Sequence, residues 1–151
     1  MGRYEMIPFF VLAGVFIFCR ALGWAGVEFL SAWQHCLRAA VAAMFLLAAS
    51  AHWGKRRADL IRMVPPAFPH PEILITLSGI AELAGAVGML WAPVTKAASV
   101  GLAILLVAMF PANVYAARHQ MMIGGRKVTG LALRTVLQIV FLAAVLAAGW
   151  L

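Results

Sequence analysis

Five long apolar runs make up most of this chain, and charge, proline or glycine separates each from the next. They cover about Ile7 to Val27, Leu37 to Trp53, Ile73 to Trp91, Ala97 to Ala117 and Leu131 to Trp150. At a rise of about 1.5 Å per residue, about 20 residues of helix extend for about 30 Å, the thickness of a hydrocarbon core. Inside a bilayer the backbone must satisfy its own hydrogen bonds, which leaves helix as the structure of each run. The pattern predicts an all-α transmembrane helical bundle of five spans, folded as a single membrane domain over residues 1–151.

The breaks between the runs carry further expectations. Phe18, Cys19 and Arg20 give no small-residue cleavage pattern, so the first run is read as a retained helix and not as a secretory leader. Gly2 lacks the Ser or Thr that a myristoylation motif wants where Met6 stands, and lipidation is not expected. Arg20, near the far end of its run, is expected to snorkel. Trp33 and His35, in the connection Glu28 to Cys36, fit an interfacial belt.

KRRADLIRM is basic with a short apolar side of Leu60, Ile61 and Met63, suited to one or two helical turns on a headgroup surface. VPPAFPHP then stops helix and favours a stiff extended segment, either a lid or simply a firm entry to the next span. Pro8 is tolerable in a first turn. Thr95 is an expected N-cap, Pro111 is expected to loosen its helix, and Gly124 and Gly125 supply a turn without phosphate-loop spacing.

Composition narrows the class. With 65% hydrophobic and 11% charged residues, a soluble globular domain is excluded, and no length remains for an extramembrane catalytic domain. The net charge of +7 does not point to nucleic acid, because no soluble module presents it. Lys55, Arg56, Arg57 and Arg62 lie in one connection, and Arg118, Arg126 and Lys127 in another. Five spans put both on one side, with Arg3, whereas Arg38 and Lys96 lie opposite. The positive-inside pattern then places the N-terminus in the cytoplasm and the C-terminus outside, with lipid headgroups as partners of the basic loops. Cys19 and Cys36 form no CxxC pair, and neither a disulfide framework nor a structural zinc site is expected.

The candidate chemistry lies within the spans. Glu82 interrupts the third run near mid-membrane, where a carboxylate must face the bundle interior, find a partner or stay protonated. Ser78 is one turn away on the same face. Counted inward from the basic side, His52 falls at the rim, Asn113 about one turn deep, Gln138 about two and Glu82 about three. The expectation is one cavity lined from four helices; the competing reading is a set of separate helix-packing contacts. His52 also reads as an interfacial helix cap, and Asn113 as a residue that holds helices together. His52 and Glu82 alone lack a metal-ligand spacing, so no metal is assigned. A protonatable Glu beside His, Asn and Gln, within apolar walls, suits a quinone-like head group and its tail.

HW at His52 and Trp53, MVPPAFPHP at Met63 to Pro71, SGIAELAGAVGML at Ser78 to Leu90, FPANVYAA at Phe110 to Ala117 and LRTVLQIVFL at Leu133 to Leu142 together resemble the DoxX-like integral membrane proteins. The commoner family form of the first motif is HF. The resemblance covers residues 37–151 and implies a four-helix core with 7–27 as an additional N-terminal helix, in a bacterial inner (plasma) membrane. It implies His52, Glu82, Asn113 and Gln138 as the characteristic polar positions. Ser78 joins them as a candidate ligand contact by its place on the Glu82 face. Some DoxX-like proteins are small membrane subunits of a thiosulfate:quinone oxidoreductase. The reading that follows is an accessory subunit of a membrane redox system that binds a quinone or other hydrophobic small molecule, with no intrinsic cofactor evident, and with a redox partner subunit or a homo-oligomer as its assembly. The alternative is a noncatalytic assembly, chaperone or scaffold protein.

Overall fold

The polar loops and apolar runs resolve into six α-helices among the described residues of a computed structural model, which describes residues 3–151, with side chains from Met6 onward. These are α1 (Arg3–Trp24), α2 (Trp33–Ser50), α3 (Arg57–Met63), α4 (Pro71–Leu90), α5 (Thr95–Arg118) and α6 (Leu131–Trp150). A hairpin of β1 (Met122–Ile123) and β2 (Arg126–Lys127) joins α5 to α6. Gly2, with the expectation about lipidation, and the Arg3 side chain invoked for topology lie outside the described residues.

Four stretches are long and apolar enough to cross a membrane: Met6–Trp24, Pro71–Leu90, Ala92–Arg118 and Leu131–Trp150. The protein is an integral membrane protein. α2 falls outside that set because Gln34, His35 and Arg38 occupy its first turns. It is instead the helix on which α1, α4 and α6 all pack. Cys36, Ala40, Val41, Met44, Phe45 and Ala49 are buried along it, and its alanines let neighbouring backbones approach closely. α2, α4, α5 and α6 close a ring, α2 touching both α4 and α6, while α1 lies outside it against α2. The expected four-helix core with one added N-terminal helix is thus the observed architecture.

At one end the ring is closely packed. Ser99 of α5, fully buried, donates to the Val145 carbonyl at 2.9 Å, and Gly149 of α6 faces it so closely that a Cβ there would run into the Ser99 side chain. Arg38 Nε donates to the Ala148 carbonyl at 2.9 Å, and Lys96 lies 5.2 Å from the Trp150 ring centre. Cations beside the last carbonyls of α6 also complement its negative end.

The opposite end gathers both basic loops. Gly124 and Gly125 turn the hairpin with positive φ of 57° and 75°, a conformation that disfavours side chains with a Cβ. The Gly124 N–H donates to Asp59 Oδ2 at 2.8 Å and so ties the hairpin to α3, while Asp59 Oδ1 pairs with Arg62 one turn along the same helix. The Gly124 N–H, helped by the Arg62 guanidinium and partly opposed by burial, holds the Asp59 carboxyl below its usual range.

Several boundaries differ from expectation. α1 starts at Arg3, which puts Pro8 beyond the first turn. α2 starts at Trp33 and ends at Ser50, so Trp33 and His35 belong to a helix and His52 to the turn after it. Thr95 is not a cap: its hydroxyl donates to the Trp91 carbonyl at 3.1 Å from within the helix. α5 remains helical through Pro111. KRRADLIRM forms α3, as its apolar side predicts, and Arg20 is structural, donating to the Ser31 carbonyl at 2.6 Å with its guanidinium 5.3 Å from the Trp24 ring centre.

Candidate functional site

Glycine decides where His52 goes. At Gly79, one residue after Ser78 on α4, an added Cβ would come within 2.8 Å of His52 Cβ and Cγ and of the Trp53 ring. That notch lets the turn after α2 fold against α4, and the imidazole sinks to 3% exposure instead of standing at the rim. The expected depth of His52 is corrected accordingly: tertiary packing draws it down to the level of the α4 polar residues. Its Nδ1 lies 2.7 Å from the Ile75 carbonyl and its Nε2 lies 3.4 Å from Glu82 Oε2.

The tautomer follows from the partners. A carbonyl only accepts, so Nδ1 carries a hydrogen and donates to Ile75. Nε2 therefore faces the carboxyl with one position to fill, and a single proton between Nε2 and Oε2 gives either imidazolium with carboxylate or imidazole with carboxylic acid. Ser78 donates to the same Ile75 carbonyl at 3.0 Å and stands 3.3 Å from Nδ1. Arg57 fixes the turn from behind. Its guanidinium donates to the His52 carbonyl at 2.8 Å, the Glu72 carbonyl at 3.1 Å and Thr76 Oγ1 at 2.9 Å.

A cavity of about 480 Å³ adjoins the pair. His52, Glu82, Asn113 and Gln138 all line it, together with Met44, Phe45, Leu106, Met109, Leu137 and Phe141. Arg134, Lys55 and Arg56 supply positive charge to its lining; Leu60, Met63 and Ile123 come from α3 and the hairpin, and Ile7 and Pro8 from α1. Ser78 stands outside it, beneath the imidazole. Of the five sequence candidates, four thus share one space, and the fifth serves the histidine that borders it.

The polar groups are partly committed. Gln138 Nε2 donates to the Leu106 carbonyl at 2.8 Å, and Asn113 Oδ1 accepts from Arg134 at 2.5 Å, which leaves the Asn113 amide donors and the Gln138 carbonyl oxygen available. Glu82 is 3% exposed, and its Oε2 has no aligned hydrogen bond among the described residues, only the contact to His52. Buried oxygens are nearly always bonded, so this one is the conspicuous open valence of the cavity. Among the described residues no three His, Cys, Asp or Glu side chains gather as a metal site, and Cys19 and Cys36 are free thiols.

Sequence reasoning passed over Arg57 and Gly79. Arg57 stands in a basic run that topology alone explains. The signal for Gly79 is its place between Ser78 and Glu82, but the side chain it admits comes from another helix.

Fold and site together define a helical integral membrane protein with a polar cavity inside the bundle. The chain belongs to the family described as "Domain of unknown function (DUF8561)", whose model matches residues 41–148. No curated protein and no solved structure matches it. The match takes in every site residue named above from α2 to α6 and leaves out α1.

Proposed function

We propose that the protein binds a quinone-like hydrophobic molecule in this cavity, as an accessory subunit of a membrane redox system. The observation that carries the reading is Glu82 Oε2, a buried carboxyl oxygen in the cavity lining that has no aligned hydrogen bond among the described residues and is backed by an imidazole. The residues fit such a head group: its carbonyl oxygens need donors, which Asn113 and the His52–Glu82 pair supply, while Phe45, Leu137 and Phe141 suit an isoprenoid tail. A quinone would bring two-electron chemistry. The chain's own part is to orient the head group, keep bulk water away and hold a proton at Glu82 or His52 Nε2. Electrons come from a partner subunit in this reading, since no cofactor motif accompanies the cavity.

The resemblance to DoxX-like proteins supports the same direction through His52, Glu82, Asn113 and Gln138. The clustering of Lys55, Arg56, Arg57, Arg62, Arg126 and Lys127 at one end supports a cytoplasmic position for that end, in a bacterial inner membrane.

The test is mass spectrometry of the organic extract of gently solubilised protein, wild type beside Glu82→Gln, with added decyl-ubiquinone as the defined probe. Retained folding with at least tenfold weaker retention of the probe in the variant is expected. Equal retention would move the site away from Glu82, and no retention by either protein would remove the quinone.

A further inference from the structure

α1 is absent from the family match, yet it supplies part of the cavity wall through Ile7 and Pro8. It lies outside the ring, packed on α2 and the short turn Glu28–Leu30. The hydrogen bonds that join α2 to α6, Arg38 to the Ala148 carbonyl and Gln34 to the Leu151 carbonyl at 3.3 Å, belong to the far end. At the cavity end, where Phe141 and Leu137 of α6 line the space, the first turns of α1 stand in the wall instead.

Pro8 puts a weak point in that wall. Proline has no N–H for the carbonyl four residues earlier and crowds the preceding turn, so α1 is weakened where it meets the cavity. The other approach, under α3 and the hairpin, is crossed by the hydrogen bond from the Gly124 N–H to Asp59 and bordered by the cations Lys55 and Arg56. An apolar molecule dissolved in the bilayer can reach the cavity wall from the side of α1. A water-borne one would have to pass the latched basic loops.

We propose that α1 is a side gate, and that the ligand of this cavity is a molecule dissolved in the bilayer that enters between the first turns of α1 and α6. The proposal rests on the cavity being a ligand site but not on the ligand being a quinone. It gives the helix outside the family match a role in admission.

The test is thiol labelling in vesicles of the full chain, in a Cys19→Ala, Cys36→Ala background carrying Leu137→Cys on the cavity wall. Should that variant fail to fold, Met109→Cys on α5 reports on the same space. The probes are N-(1-pyrenyl)maleimide, which partitions into lipid, and a sulfonated, membrane-impermeant methanethiosulfonate, each rate being normalised to that of the unfolded protein. The lipid-soluble reagent is expected to label at least tenfold faster. Pro8→Ala, which restores the missing donor, should slow it severalfold, and Asp59→Asn should leave it unchanged. Faster labelling by the sulfonated reagent, a rate indifferent to Pro8→Ala, or one that rises with Asp59→Asn would each overturn the gate. Protection by decyl-ubiquinone is read separately. Lipid-phase labelling that depends on Pro8 but is not blocked by the quinone leaves the gate standing and removes the quinone.

Discussion

Where Ser99 meets Gly149, α5 and α6 touch with nothing between them; about three turns nearer the basic loops the same two helices part around Gln138 and leave a cavity. Small side chains make the difference at the first place, because no hydrophobic effect drives helices together in lipid and close contact must come from backbones that can approach. Larger polar side chains make it at the second. Gln138 and Arg134 reach across to the Leu106 carbonyl and to Asn113, and in bridging the gap they hold it open. One bundle is thus welded at one end and propped at the other.

The largest effect should come from coring the welded half. Leu102 is 1% exposed and packs against Gly85, so Leu102→Ala is expected to cost about 2–5 kcal/mol in detergent unfolding. Leu137→Ala, at the cavity wall, should cost less than half as much, since its neighbours already border empty space. Equal losses would erase the contrast between the ends.

Next comes the notch. Gly79→Ala should destabilise by about 1–3 kcal/mol and push the imidazole off Ile75, read as loss of the Nδ1–H signature in histidine nitrogen NMR. Gly101, with nothing within 4 Å of its added Cβ, is the control: Gly101→Ala should stabilise by about 0.5–1 kcal/mol through helix propensity alone. A silent Gly79→Ala would mean that His52 does not depend on the notch.

The smallest effect lies in the latch. Because the folded Asp59 carboxyl sits below its ordinary value, its contribution is complete above the ordinary carboxylate range and is lost as pH falls through the lowered folded value. Amide exchange at Gly124 should therefore quicken at acid pH after correction for intrinsic rates, by the equivalent of about 0.2–1 kcal/mol. In Asp59→Asn it should be fast at every pH. Flat wild-type exchange would show that the hairpin is held by something else.

Four of the five expected spans were legible because lipid imposes length and apolarity on every helix that touches it; α6 begins and ends where its sequence pattern does, at Leu131 and Trp150. α2 was legible as a helix but not as the hub, since its place depends on which neighbours it has. Glu82, Gln138 and Asn113 stood out as polar residues inside apolar runs. His52 was found but misplaced, and Arg57 was missed, because what matters about each is a partner on another element: Gly79 for the first, the Glu72 and Thr76 turn for the second. The hairpin strands, two residues each, are too short for alternation to show.

The fixed Nδ1–H of His52 has an electrical corollary. With that hydrogen committed to Ile75, a proton shared by the pair would pass between Nε2 and Glu82, which lie 3.4 Å apart, and the pair would carry the same net charge whichever partner held it. A charge that crosses the whole membrane exchanges about 2.3 kcal/mol per 100 mV with the potential, so a hop of about 1 Å in a core of about 30 Å exchanges roughly 0.1 kcal/mol. The membrane voltage is therefore nearly blind to where this proton sits, and a molecule placed against the carboxyl can decide the matter in either an energised or a collapsed membrane.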